Sequence, residues 1–180
     1  MDLGVRPVAT DRSDDASFEA LFAAEYGRVA GIANRVLADP HEAEDVAQEV
    51  FIDFHRLHSA SAQYAPAWLH RAAAHAALNR LRGARRRQRR ELAQATDATE
   101  ETDRTVDPQK LFEVSEDRRH LRQALARLAP KPAAVLVLRS SGLSYAEVAQ
   151  ALGVGIGQVG TLLRRAEAAL RKEVVRGTSI

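Results

Sequence analysis

The stretch from Leu143 to Lys172, LSYAEVAQALGVGIGQVGTLLRRAEAALRK, constrains the chain most, because two helical patterns meet in it at a glycine-rich turn. Ser144 stands where a helix cap belongs, Glu147 is placed to return the hydrogen bond, and Leu143 can staple onto Val148. Val148, Ala149 and Leu152 then form one apolar face. Gly153 ends it, and Ile156, Val159, Leu163, Ala166 and Leu170 form a second stripe at helical spacing. Two helices joined by so short a turn make a helix-turn-helix, whose second helix suits the DNA major groove. The same spacing also fits an ordinary helical hairpin, so the motif alone does not decide for DNA.

The charge of the rest of the chain bears on that choice. Formal net charge is only +2 while the pI is about 9.3, so what matters is where the arginines sit. Hydrophobic residues make up 46% of the chain and aromatic ones only 5%, which implies cores of Ala, Leu and Val as in small helical domains. No strand-like alternation is present. The lack of cysteine excludes disulfides and Cys-ligated zinc and fits a reducing compartment. The first residues, MDLGVRPVATDRSDD, are too polar for a secretory signal, and no apolar run is long enough to span a membrane. The expectation is a soluble cytoplasmic protein without membrane insertion.

Read in order, residues 1 to 15 form a polar tail expected to be disordered. Leu21, Phe22, Val29, Ile32, Ala33 and Val36 then repeat on one helix face. Asp39, Pro40 and Glu42 restart the chain as cap, first helical residue and closing carboxylate. The helix that follows, to about His55, turns Ala43, Val46, Ala47, Val50, Phe51 and Phe54 inward and leaves Asp45, Gln48, Glu49, Ile52 and Asp53 outside. That outer strip is either a solvated face or a docking face for a positively charged partner. Metal binding there is disfavoured, since no HExxH and no Glu-x-x-His occurs.

After a Ser- and Ala-rich loop ending in Gln63 and Tyr64, Pro66 opens a helix anchored by Trp68 and Leu69. Ala72, Ala73, Ala76 and Leu81 pack inward, while Arg71, His75, Asn79, Arg82 and Arg86 recur on the opposite face and run into GARRRQRR. A basic helical face interleaved with Asn and His, with Tyr and Trp nearby for stacking, favours nucleic acid over a merely solubilising tail. Residues from Glu91 to Asp117 are acidic and Thr-rich and read as a flexible linker that can also fold back on the basic face. Leu121, Leu125 and Leu128 open a second unit, interrupted at Pro130; Pro132 opens a short helix with Val135, Leu136 and Leu138, which Gly142 ends.

The fold class is therefore all-α: two small helical domains joined by a flexible acidic linker, the second containing the helix-turn-helix. In this order the motifs resemble a bacterial sigma factor of the extracytoplasmic-function, sigma-70-like group. AEDVAQEVF from Ala43 to Phe51 resembles its core-polymerase-binding segment. AWLHR from Ala67 and LNRLR from Leu78 resemble the helix that engages the melted downstream promoter element. LAP from Leu128, GLSYAEVA from Gly142 and Leu152-Gly153 resemble its upstream-element domain. The resemblance implies residues 16 to 92 as a region 2-like domain, 93 to 116 as linker, 117 to 174 as a region 4-like domain and 175 to 180 as tail.

It implies a protein that is not an enzyme, carries no cofactor or metal, and directs promoter recognition and melting. Asp45, Gln48, Glu49 and Asp53 would dock on the clamp helices of core RNA polymerase, whose flap would meet the second domain. Tyr64, Arg71, His75, Asn79, Arg80 and Arg82 would meet the −10 element, with Tyr64 holding a flipped base. Gln158 and Thr161 would face bases of the −35 element, and Arg164 and Arg165 its phosphates. An anti-sigma factor occluding both domains is a further implied partner. The chain departs from the family pattern at His75, at Gly160 where a Lys is usual, and at Leu162 where an Arg is usual, so promoter preference does not carry over. The residues alone leave open a stand-alone helix-turn-helix regulator, an adaptor that only binds polymerase, and a helical metal protein using His41, Glu44, Asp45, Glu49 and His55.

Overall fold

The computed structural model describes residues 12 to 94 and 108 to 178, and the regular elements within them are all α-helices. The first group is α1 (Arg12–Leu37), α2 (Pro40–Leu57) and α3 (Ala65–Gln94). The second is α4 (Pro108–Arg127), α5 (Pro130–Ser140), α6 (Tyr145–Leu152) and α7 (Ile156–Thr178).

The turn between α1 and α2 is set by two adjacent residues. Ala38 takes the left-handed conformation at φ 55° and its N–H donates to the Asn34 carbonyl at 2.8 Å, closing α1. Asp39 is extended, and its carboxylate accepts from the amides of His41 at 2.9 Å and Glu42 at 3.1 Å, with Pro40 as the first helical residue. The return bond expected of Glu42 is not made; the cap rests on the Asp39 side chain alone. Tyr64 precedes the first turn of α3, where its carbonyl accepts from Trp68 N–H at 2.9 Å.

Val29, Ile32 and Val36 of α1, Val46 and Phe54 of α2, and Leu69 and Leu78 of α3 are fully buried together. Within this core His70 is 2% exposed, and its Nε2 lies 2.8 Å from Glu25 Oε2, so α1 and α3 are joined by a polar contact as well as by packing. In the second group, Leu138, Leu143, Val148, Val159 and Ala166 form the buried centre. Pro130, rather than Pro132, is the first residue of α5, and its cap Ala129 makes no side-chain bond. Ser144 and Glu147 make both halves of the expected capping box, and Gly153 at φ 63° ends α6.

Several expected boundaries move. α1 begins inside the expected polar tail, and residues 1 to 11 lie outside the described residues. Helix also extends into both ends of the expected linker 93 to 116, through Gln94 and from Pro108; residues 95 to 107 lie outside the described residues. α7 runs into the expected tail to Thr178. Three residues assigned inward by spacing are exposed, Ile156 by 59%, Leu121 by 48% and Phe22 by 38%, because each lies at the margin of its apolar stripe.

The two groups are docked. α3 lies against α4, α5 and α6, and α1 touches α5. Arg82 Nη2 donates to the Leu128 carbonyl at 3.1 Å, and Arg28 Nη1 pairs with Glu147 Oε1 at 2.9 Å. Among the described residues, no helix is long and apolar enough to cross a membrane.

Candidate nucleic-acid and partner interfaces

The acidic strip of α2 stands as the 3.6-residue repeat requires. Asp45, Gln48, Glu49, Ile52 and Asp53 are all exposed, opposite the buried Val46, Val50 and Phe54. Beside it α1 and α2 leave an apolar hollow of about 280 Å³ lined by Phe18, Phe22, Gln48, Phe51, Ile52 and His55. The rings of Phe22 and Phe51 are 4.8 Å apart there and those of Phe18 and His55 4.5 Å. The strip therefore combines carboxylates with an apolar recess, the mixture found at the centre and rim of protein interfaces. The i, i+4 pair Phe18 and Phe22 was the sequence signal for the recess, but it reads equally well as core.

The strip is tied to the neighbouring helix by Arg80. Its Nη2 bonds Glu49 Oε1, its Nη1 lies 3.9 Å from Asp45 Oδ2, and Nη1 also donates to the Glu42 carbonyl at 3.4 Å. Arg80 therefore belongs with the acidic strip in this arrangement rather than with the basic face on which sequence reasoning set it. The helical phase explains this: Arg80 is one residue past Asn79, which turns it about 100° around α3 towards α2.

The basic face of α3 presents Arg71, His75 and Asn79, all exposed, one turn apart. Arg82 continues the line but is half-buried. It bridges to Asn79 Oδ1 at 3.5 Å and to Leu128 of the second group. His75 sits between two guanidinium groups. Burial first, and then the charges of Arg71 and Arg82, hold its pKa below the ordinary histidine value. At neutral pH it is a neutral imidazole with one donor and one acceptor, a group able to meet a base edge.

At the start of α3, Tyr64 is 48% exposed and is the outermost of a run of rings. Phe54 and Trp68 are 5.4 Å apart, Trp68 and His58 4.7 Å, and His58 and Tyr64 5.7 Å edge to face. The Tyr64 hydroxyl also lies 3.3 Å from His58 Nδ1. His58 was absent from the expected site because a lone histidine in a Ser-rich loop carries no periodic signal.

In the helix-turn-helix, Thr161, Arg164 and Arg165 are exposed, whereas Leu162 packs against the buried core. Gln158 is exposed, and its Oε1 accepts from Gly155 N–H at 3.2 Å, which engages that oxygen in capping α7 and leaves the amide N–H groups as donors. Gly160 lies against Tyr145, where an added Cβ would stand 3.7 Å from the ring. Arg139 is held over that ring, 5.4 Å from its centroid, and donates to the Leu143 carbonyl at 2.9 Å. Among the described residues, no cluster of three or more His, Asp or Glu side chains is placed to hold a metal ion.

Two family models match the chain: sigma-70 region 2 over residues 21 to 87 and sigma-70, region 4 over residues 118 to 170, together more than half of it. The extracytoplasmic-function RNA polymerase sigma factor SigE of Mycolicibacterium smegmatis is 30% identical over 174 residues, covering 94% of this chain and 66% of the relative. The RNA polymerase sigma-H factor of Pseudomonas aeruginosa is 30% identical over 171 residues, covering 89% of this chain and 88% of the relative. Among solved structures, CnrH in complex with the cytosolic domain of CnrY matches with a TM-score of 0.51 and 20% identity, over 88% of this chain and 87% of that one. At that identity the likeness concerns the fold.

Proposed function

The chain belongs to the sigma-70 family, in its extracytoplasmic-function group, and on that premise we propose that it is a specificity subunit that binds core RNA polymerase, selects promoters and begins their melting. The observation that carries the reading is the adjacency of two unlike faces on one packed group of helices. An acidic strip with an apolar recess lies on α2, and a basic face headed by an aromatic run lies on α3. One suits a polymerase and the other a nucleic-acid strand.

On this reading Asp45, Gln48, Glu49 and Asp53 dock on the polymerase, with Ile52 entering the contact and Arg80 holding the two inner carboxylates in place. Arg71 and Arg82 take phosphates of the −10 element, His75 and Asn79 approach base edges, and Tyr64 with His58 stacks on a base drawn from the duplex. Base capture compensates for unpairing, so melting at this site uses no nucleotide hydrolysis and the protein is not an enzyme. In the second domain Arg164 and Arg165 grip phosphates and Thr161 meets the groove. Gln158, its oxygen committed to the cap, adds little base preference. The protein works in the cytoplasm, and the same two faces are where an anti-sigma factor would act.

The −10 and −35 elements lie more than two turns of DNA apart, roughly 70 Å. The docked arrangement, with Arg82 on the Leu128 carbonyl, brings the two readers together. Promoter binding on this reading therefore requires the domains to separate, and polymerase supplies the holding points. The test is binding of the full chain to purified core polymerase. Asp45→Lys combined with Asp53→Lys should abolish co-migration on size-exclusion chromatography while leaving the helical circular dichroism unchanged. Undiminished co-migration would remove the α2 strip from the account.

A further inference from the structure

The second half of α3 and the facing side of α4 enclose a groove that the promoter reading leaves unused. Adjoining depressions of about 360 and 380 Å³ run along it, lined by Arg85, Gln88 and Arg89 from α3 and by Arg122, Gln123 and Arg127 from α4, with Arg119 at one end. A third, of about 160 Å³, joins it to Arg82 and Arg86. The floor is apolar, formed by Leu81, Ala84 and Ala126. Guanidinium groups thus face each other across the seam between the two domains. Among the described residues, Arg85, Arg86, Arg89, Arg119 and Arg122 have no carboxylate within ion-pair distance, and Arg127 reaches Glu173 only at 3.9 Å. Arg85 is held below the ordinary arginine value by burial first and then by Arg127 and Arg89, against the opposing effect of Glu173, so the like charges are felt across the groove.

A groove of facing guanidinium groups in which, among the described residues, Glu173 near Arg127 is the counter-charge at one end is complementary to an anion, and arginine forks match phosphate oxygens. The two larger depressions have the size of small-molecule sites, so the groove suits one strand and not a duplex. It also prolongs the line of Arg71, His75, Asn79 and Arg82 along α3. We propose that the groove between α3 and α4 is a second nucleic-acid site, which takes the phosphodiester backbone of a single strand across both domains of the undocked-from-polymerase chain. Among the described residues no aromatic side chain lines it, so the described walls offer no stacking platform and the site ignores sequence. Gln88 and Gln123 supply neutral donors between the charges. The site exists only while the two domains are docked, so a bound strand favours the closed chain over the open one.

The test uses the full chain and a fluorescein-labelled single-stranded DNA of mixed sequence, followed by anisotropy at two salt concentrations, without polymerase. Arg85→Gln and Arg122→Gln, on opposite walls, are each expected to weaken binding several-fold at low salt and to lower the slope of log affinity against log salt by about 0.7, the value for one lost contact on a single strand. The comparison variant Arg71→Gln with Asn79→Ala should retain the groove's share of binding. Four results would overturn the proposal: no binding by the wild-type chain, loss with Arg85→Gln but not with Arg122→Gln, complete loss with the comparison variant alone, or binding that emerges only after Asp97, Glu100, Glu101, Asp103 and Asp107 are made neutral. The last outcome would assign the groove to the chain's own acidic stretch. Because no polymerase is present, failure here is distinct from failure of the specificity-subunit reading.

Discussion

Glu147 serves two structures with its two oxygens. Oε2 accepts the Ser144 amide at 2.7 Å and completes the cap of α6, while Oε1 pairs with Arg28 of α1 at 2.9 Å. The Ser144 bonds first, and Arg28 after them, hold its pKa below the ordinary carboxylate value against the opposing effect of burial. A depressed carboxylate contributes stability that is present above the unfolded value, about 4.5, and is lost as pH falls through the folded one. Acid should therefore loosen the cap and the domain contact together. A thermal melt series from pH 7 to pH 3 should show the midpoint falling, with a shallower fall in Glu147→Gln; identical slopes would contradict this. His75 works in the same sense. Its pKa is lowered from 6.5, so the folded chain loses stability as pH drops through that value. A phosphate beside it offsets Arg71 and Arg82 and promotes protonation, so single-strand affinity should rise on the acid side of 6.5. His75→Gln should flatten that dependence in an anisotropy titration at pH 5.5 and 7.5.

The elements divide into those that local sequence dictates and those that packing dictates. The caps at Asp39 and Ser144 and the stop at Gly153 were legible because a cap is a contact between residues a few positions apart. The acidic strip of α2 was legible because its period is uninterrupted from Ala43 to Phe54. The start of α4 at Pro108 was not, because the polar, Thr- and Asp-rich approach to it gives no apolar period. Arg80 and Gln158 were placed on the right helices, yet their partners are set by neighbouring backbone and side chains that spacing does not report. Gly160 is a helix-interior glycine whose missing side chain has room: a Cβ would meet Tyr145 at an ordinary 3.7 Å. Gly160→Ala should stabilise the second domain by about 1 kcal/mol, read as a raised midpoint in chemical denaturation. A lowered midpoint would show that Tyr145 cannot yield.

At the scale of the molecule, the docked domains were the feature least visible in the sequence. Arg28 with Glu147 and Arg82 with Leu128 are long-range contacts between segments whose local patterns are complete without them. They fasten the helix-turn-helix against the helix that carries the basic face, so the fold holds the two proposed readers in a posture in which they would not reach separated promoter elements at once. The α2 strip stays exposed, which leaves the face proposed to meet polymerase free to act first. The central claim is that this chain confers promoter selectivity on a polymerase that lacks it. The direct measurement is run-off transcription by purified core polymerase on a library of native promoter fragments, with and without the full chain. Discrete transcripts from a small promoter subset are expected only when the chain is present, and their loss is expected with Asp45→Lys and Asp53→Lys. Transcripts that do not depend on the chain, or tight sequence-specific duplex binding by the chain alone without any gain in transcription, would contradict it.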